Sequence, residues 1–124
     1  MPENWNKRME DDEFVLTAKL ADISTASSAY VISPFRGKIK KIYSVISGTI
    51  ATANAVLTAS IGGVNITGGA ITIAYSGSAA GDIDSCAPTA KNEVAEGQAI
   101  KITTNGASTN TVYSQLTIIL KRNI

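Results

Sequence analysis

The chain has 124 residues, 44% of them hydrophobic and 17% charged, with a net charge of +1. That length supports one domain with a real core, and the small net charge excludes a strong long-range field for nucleic acid, so such binding would need a local patch. Histidine is absent and cysteine occurs once, as Cys86, which removes Ser-His-Asp and Cys-His catalysis, the commonest general base, intrachain disulfides and Cys-based zinc sites.

The opening MPENWNKRMEDDE is polar, with Trp5 and Met9 as its only sizeable apolar side chains. It carries five acids against Lys7 and Arg8, a net of −3 that leaves +4 on the remainder. Residues 1–13 are therefore expected to form an extended arm outside a domain at 14–124. The arm is either solvated or docked on the more basic body of a neighbouring copy. No stretch has the order of a secretory signal, and no run approaches the roughly 20 apolar residues needed to span a bilayer. The expectation is synthesis in a cytoplasm, with no membrane partner.

From Phe14 onward, short β-prone runs alternate with Gly, Ser, Asn and Pro, the pattern of an all-β sandwich or barrel. FVLTAKL (14–20) alternates with period two, setting Phe14, Leu16, Ala18 and Leu20 on one face and Val15, Thr17 and Lys19 on the other. AYVIS (29–33) stops at Pro34, and GKIKKIYSVIS (37–47) follows Arg36 and Gly37. Strict alternation in this third run puts Lys38 and Lys40 on the same face as Ile42 and Ile46. A β-bulge at Lys40-Lys41 would instead bring Ile39 into phase with Ile42, Ser44 and Ile46.

AVLTASI (55–61), VNIT (64–67) and AITIAY (70–75) are separated by Gly62-Gly63 and Gly68-Gly69, and both Gly pairs read as tight hairpin turns because primed turns need positive φ. AIKITT (99–104) leads to the turn signal Asn105-Gly106, and TVYSQLTIILK (111–121) is the last of about eight strands. Residues 49–60 have some helical spacing, but their Thr, Ile and Val content favours loop plus strand. Residues 89–97 are compatible with one helical turn ended by Gly97. Ser47 to Ala80 is rich in small residues yet keeps its alternation, so it reads as ordered strands.

Little in the chain has the pattern of chemistry. Asp82 and Asp84 are the only tight acidic pair in the body, and in a Gly-Ser-Ala setting they read as solvated turn residues more readily than as a glycosidase pair. Glu10 to Glu13 lacks the spaced oxygen ligands of a calcium loop. No phosphate-binding glycine motif is present, and Asn65-Ile66-Thr67 matches a glycosylation sequon that is idle without secretion. Cys86 has no neighbouring basic residue in sequence and reads as a small apolar side chain. The cluster Arg36, Lys38, Lys40 and Lys41 lies between Phe35 and Tyr43, an arrangement that single-strand binding would use. Solvated strand-end lysines that discourage edge pairing are the simpler reading. No cofactor, metal or nucleic acid is expected.

The segments SPFRGKIKKIYSVISGTIATANAVLTASIGGVNITGGAITI, SGSAAGDIDSCAPT, VAEGQAIKITTNGAST and TVYSQLTIILK, taken in that order, resemble the capsid decoration (cement) proteins of tailed bacteriophages, of jelly-roll type. The resemblance covers roughly residues 28–121 and rests on overall pattern. It implies a jelly-roll-like β-sandwich that forms a trimer and binds the major capsid protein on the outside of an icosahedral shell, where it stabilises the capsid without enzymatic activity. By the same analogy the N-terminal arm reaches the shell or a neighbouring protomer. The expected contact residues are Trp5, Lys7, Arg8 and Met9 in the arm and Arg36, Lys40 and Lys41 in the body. The alternatives are a tail or fibre component and a carbohydrate-binding β-sandwich. The last is disfavoured because with seven aromatics in the chain several are expected to serve the core.

Overall fold

The computed structural model describes residues 13–122; Trp5, Lys7, Arg8 and Met9 lie outside them. The described residues form nine strands and no helix: β1 (Glu13–Leu20), β2 (Ser27–Ile32), β3 (Gly37–Ile46), β4 (Ala55–Ile61), β5 (Val64–Ile73), β6 (Ile83–Cys86), β7 (Glu93–Val94), β8 (Ala99–Thr104) and β9 (Ser114–Arg122). The expected all-β sandwich is what the chain forms. One sheet has the order β1-β9-β3-β6, with β7 beside the start of β3, and the other has the order β2-β8-β4-β5. All pairings are antiparallel. They nest about the β4–β5 hairpin: β3 pairs with β6, β2 with β8 and β1 with β9.

The core between the sheets is almost wholly aliphatic. Ile39, Ile42 and Ile46 of β3 meet Leu116, Ile118 and Leu120 of β9 on one side, and Leu57, Ile71, Ile73, Ile100 and Ile102 line the other. Burying each such side chain contributes about 1.5–3 kcal/mol, and branched side chains suit the pleated surface. None of the described aromatic residues is fully buried. Tyr30, Tyr43, Tyr75 and Tyr113 are exposed, as is Phe14, and Phe35 is half-buried against the core edge. The expectation that several aromatics serve the core is overturned: isoleucine and leucine fill the space, which frees the rings for the surface.

The register of β3 shifts against β9 between Ile39 and Lys41, so that Ile39 faces Leu120 and Lys41 faces Ile119. The bulge anticipated at Lys40-Lys41 is present, and it lets Ile39, Ile42, Ser44 and Ile46 all point inward while Lys38, Lys40 and Lys41 point out. At the entrance of β3 a Cβ on Gly37 would collide with the Lys121 carbonyl, so β9 can approach only a glycine there.

Gly62 and Gly63, both at positive φ, form the two-residue turn that closes Ile61 on Val64. Gly68-Gly69 does not form a second hairpin. β5 runs through it, and the register of β4 against β5 jumps from Thr58–Ala70 to Ser60–Asn65, so that four residues bulge opposite Ala59. The bulged Thr67 instead bonds to residues 89–90, and Ile66 folds in over Gly69, where a Cβ would strike it. A long-range partner thus took the backbone groups that a local turn would have used.

Two strands escaped sequence reading. β6 lies within the small-residue stretch at 76–87, and β7 occupies the segment where a helical turn was possible. Residues 95–98 close as a turn, with Gly97 at a φ of 78° and the Gln98 N–H donating to the Ala95 carbonyl at 3.0 Å.

Candidate functional site

The outward face of the β1-β9-β3-β6 sheet carries a concentration of apolar and cationic side chains. Register aligns them in cross-strand rows: Glu13, Lys121 and Lys38; then Val15, Ile119 and Lys41; then Thr17, Thr117, Tyr43 and Ser85; then Lys19, Gln115, Val45 and Ile83. Ile83 is 69% exposed and Val15 60%. A shallow cleft of about 220 Å³ lies among Tyr43, Val45, Ile83, Gln115 and Thr117. Lys41 holds its ammonium 5.0 Å from the centre of the Tyr43 ring, and Lys19 holds its own 4.2 Å from that of Tyr113. The result is a mixed face on which Val15, Ile119, Val45 and Ile83 lie among Thr17, Thr117 and Gln115, with Lys19, Lys38, Lys40, Lys41 and Lys121 and one acid, Glu13, about them.

Among the sequence-predicted contact residues, Lys40 and Lys41 come together on this face, placed there by the bulge. Arg36 lies exposed in the turn before β3. Beside that turn Phe14 and Phe35 meet at 4.5 Å with ring planes 59° apart, and the Arg122 guanidinium lies 5.7 Å from each ring centre. The alternation of β1 set Val15 on one face with Thr17 and Lys19, and that face is the outward one. Ile83 was not, because a four-residue strand flanked by Gly, Ala and Ser has no periodic signal.

The acidic pair divides. Asp82 is a turn residue whose Oδ2 accepts the Ala79 N–H at 2.9 Å. Asp84 is not a solvated turn residue as expected: it sits half-buried in β6 opposite Ser44. Burial pushes its carboxyl above the ordinary value, and the neighbouring Asp82 charge adds to the rise. Cys86, two residues on, packs half-buried against the core; burial raises its thiol pKa, partly opposed by a backbone hydrogen bond from Ile42. A thiol so placed stays protonated at neutral pH. At the end of β1, Asp22 accepts the Ser24 hydroxyl at 2.6 Å and the Ser24 N–H at 3.0 Å, which lowers its carboxyl pKa. Among the described residues no group of three or more acidic or cysteine side chains could hold a metal ion. Nor is any helix there long and apolar enough to cross a membrane.

Compared with known proteins, the chain matches no family model, and no curated protein matches it.

Proposed function

We propose that this protein is a structural module that binds the major capsid protein on the outer surface of an icosahedral phage capsid, acts as a trimer, and stabilises the shell without catalysing a reaction. The observation that carries this reading is the nested pairing, with strand orders β1-β9-β3-β6 and β2-β8-β4-β5. Such nesting supports a long antiparallel hairpin wrapped as in a jelly roll, the architecture implied by the sequence resemblance. The lysine-rich face supports it further, since exposed Val15 and Ile83 and the surrounding lysines offer the two components of a protein contact: area to bury and charge to orient the partner. Three weak protomer contacts become a firm attachment once the protomers are tied together, provided the shell presents matching sites.

The test is co-sedimentation of the purified protein with expanded capsids, combined with immunogold labelling of virions. Saturable binding to capsids and label over heads are expected. Failure to bind capsids and absence from virion preparations would overturn the proposal, and label on tails alone would assign the protein to the tail.

A further inference from the structure

The opposite face of the sandwich carries a second, chemically different feature. Tyr30 of the edge strand β2 stands opposite Lys101 of β8, which stands opposite Ser60 of β4, and Ser60 opposite Asn65 of β5. An aromatic ring, an ammonium, a hydroxyl and a carboxamide thus form one cross-strand row. At its end a cleft of about 330 Å³ is lined by Tyr30, Gly62, Gly63, Gln98, Ala99 and Lys101, at the lower end of the ~300–1,000 Å³ common for small-ligand sites.

We propose that this cleft binds an acidic saccharide. Tyr30 is 63% exposed and has no task in the aliphatic core, so the part of its ring that the Lys101 ammonium leaves uncovered can serve as a platform for the C–H face of a sugar. The Lys101 ammonium lies 5.9 Å from the ring centre, close enough for attraction to the ring to hold it beside whatever stacks there. Gln98 is oriented by its own fold: its Oε1 accepts the Ala95 N–H at 2.9 Å. Its Nε2 thereby turns toward the glycine turn, 3.3 Å from where a Cβ on Gly62 would stand. That nitrogen supplies N–H donors for sugar hydroxyls. The Gly62-Gly63 wall is bare backbone, and a Cβ on Gly63 would meet nothing within 4 Å, so a ring can approach without displacing a side chain.

The lining contains one cation and no carboxylate, which selects a sugar bearing a negative group over a neutral one. A nucleic-acid strand would need successive stacking platforms along a basic groove, and this cleft has one platform and one ammonium. The inference goes beyond the capsid reading and does not depend on it.

Saturation-transfer NMR and calorimetry with tri-galacturonate, maltotriose and a short oligothymidylate test the assignment. Tri-galacturonate is expected to bind at millimolar or lower concentration, maltotriose roughly tenfold more weakly, and oligothymidylate no better than maltotriose. Tyr30→Ala should abolish binding. Lys101→Met, which keeps the apolar stem, should bring tri-galacturonate down to the level of maltotriose. Gln98→Glu preserves the Ala95 contact but presents a like charge, and it should weaken tri-galacturonate more than it weakens maltotriose. Absence of binding by tri-galacturonate, equal binding of the two sugars, tighter binding of the oligonucleotide, or unchanged binding by folded Tyr30→Ala and Lys101→Met would each overturn the proposal.

Discussion

Ser44 and Ser114 are fully buried, and their hydroxyls bond to each other at 2.7 Å across β3 and β9. A paired hydroxyl is tolerated in an aliphatic core, whereas a single one left behind is not. Ser44→Ala is therefore expected to cost about 1–3 kcal/mol, while adding Ser114→Ala should cost much less than a second such loss, as denaturant titration of the cycle would reveal. Titration has its own signature at Asp84. A carboxyl whose folded pKa lies above its unfolded one is a burden when ionised, so its effect on stability is unfavourable above the folded pKa and fades as pH falls through it. Asp84→Asn should raise the melting temperature at neutral pH and leave it unchanged near about pH 3. The gain should stay under about 1 kcal/mol because the partly exposed group is screened by water. Asp22 has the opposite sign: its lowered pKa supports folding above the unfolded value and the support is lost on acidification through the folded one.

The strands that carry a strong alternating pattern, β1, β3, β4, β8 and β9, were legible in the sequence, and so was the bulge in β3, because only a one-residue insertion reconciles Ile39 with Ile42. Sequence reading missed at β6 and β7, which are too short to show a period, and at Gly68-Gly69, where the same dipeptide that turns the chain at 62–63 lies inside a strand. The two pairs differ in what is nearby: Thr67 finds backbone partners at residues 89–90, which no local pattern announces. Glycines at loop positions differ in the same way. Gly106 has a φ of 68° and a Cβ there would collide with the Ala26 backbone, while Gly77 has a φ of 73° with nothing within 4 Å. Gly77→Ala is expected to cost roughly 1 kcal/mol for the left-handed backbone alone, and Gly106→Ala distinctly more, because a packed backbone must also move. Thermal denaturation of the two variants separates these effects.

At the scale of the whole molecule, the sandwich presents two unlike faces, one rich in lysines with Val15 and Ile83 exposed among them, the other with Tyr30 and Lys101 at its cleft. If the lysine-rich face is the contact surface, Lys40→Glu with Lys41→Glu should weaken association or capsid binding by about tenfold or more, since reversed charges oppose the partner field. Light scattering coupled to size exclusion should find the unmodified protein near three times 12.9 kDa. A monomeric unmodified protein, or a doubly reversed variant with unaltered mass and capsid binding, would remove this face from the assembly.

Alternation of branched apolar residues with polar ones was enough to determine an all-β chain and most of its strands, because the two-residue period of a strand is a local property of the backbone. Composition likewise excluded histidine-based chemistry and an intrachain disulfide. Which strands pair, and therefore which side chains share a surface, was decided only in the tertiary structure. Tyr30 and Lys101 are 71 positions apart in the chain and opposite each other in the sheet; Val15, Tyr43 and Ile83 meet on one face only because β9 and β3 lie between β1 and β6. The fate of the aromatics was settled in the same way. A core volume already filled by isoleucine and leucine left no room for the tyrosine rings, and that fact belongs to packing across two sheets and to no single stretch of sequence.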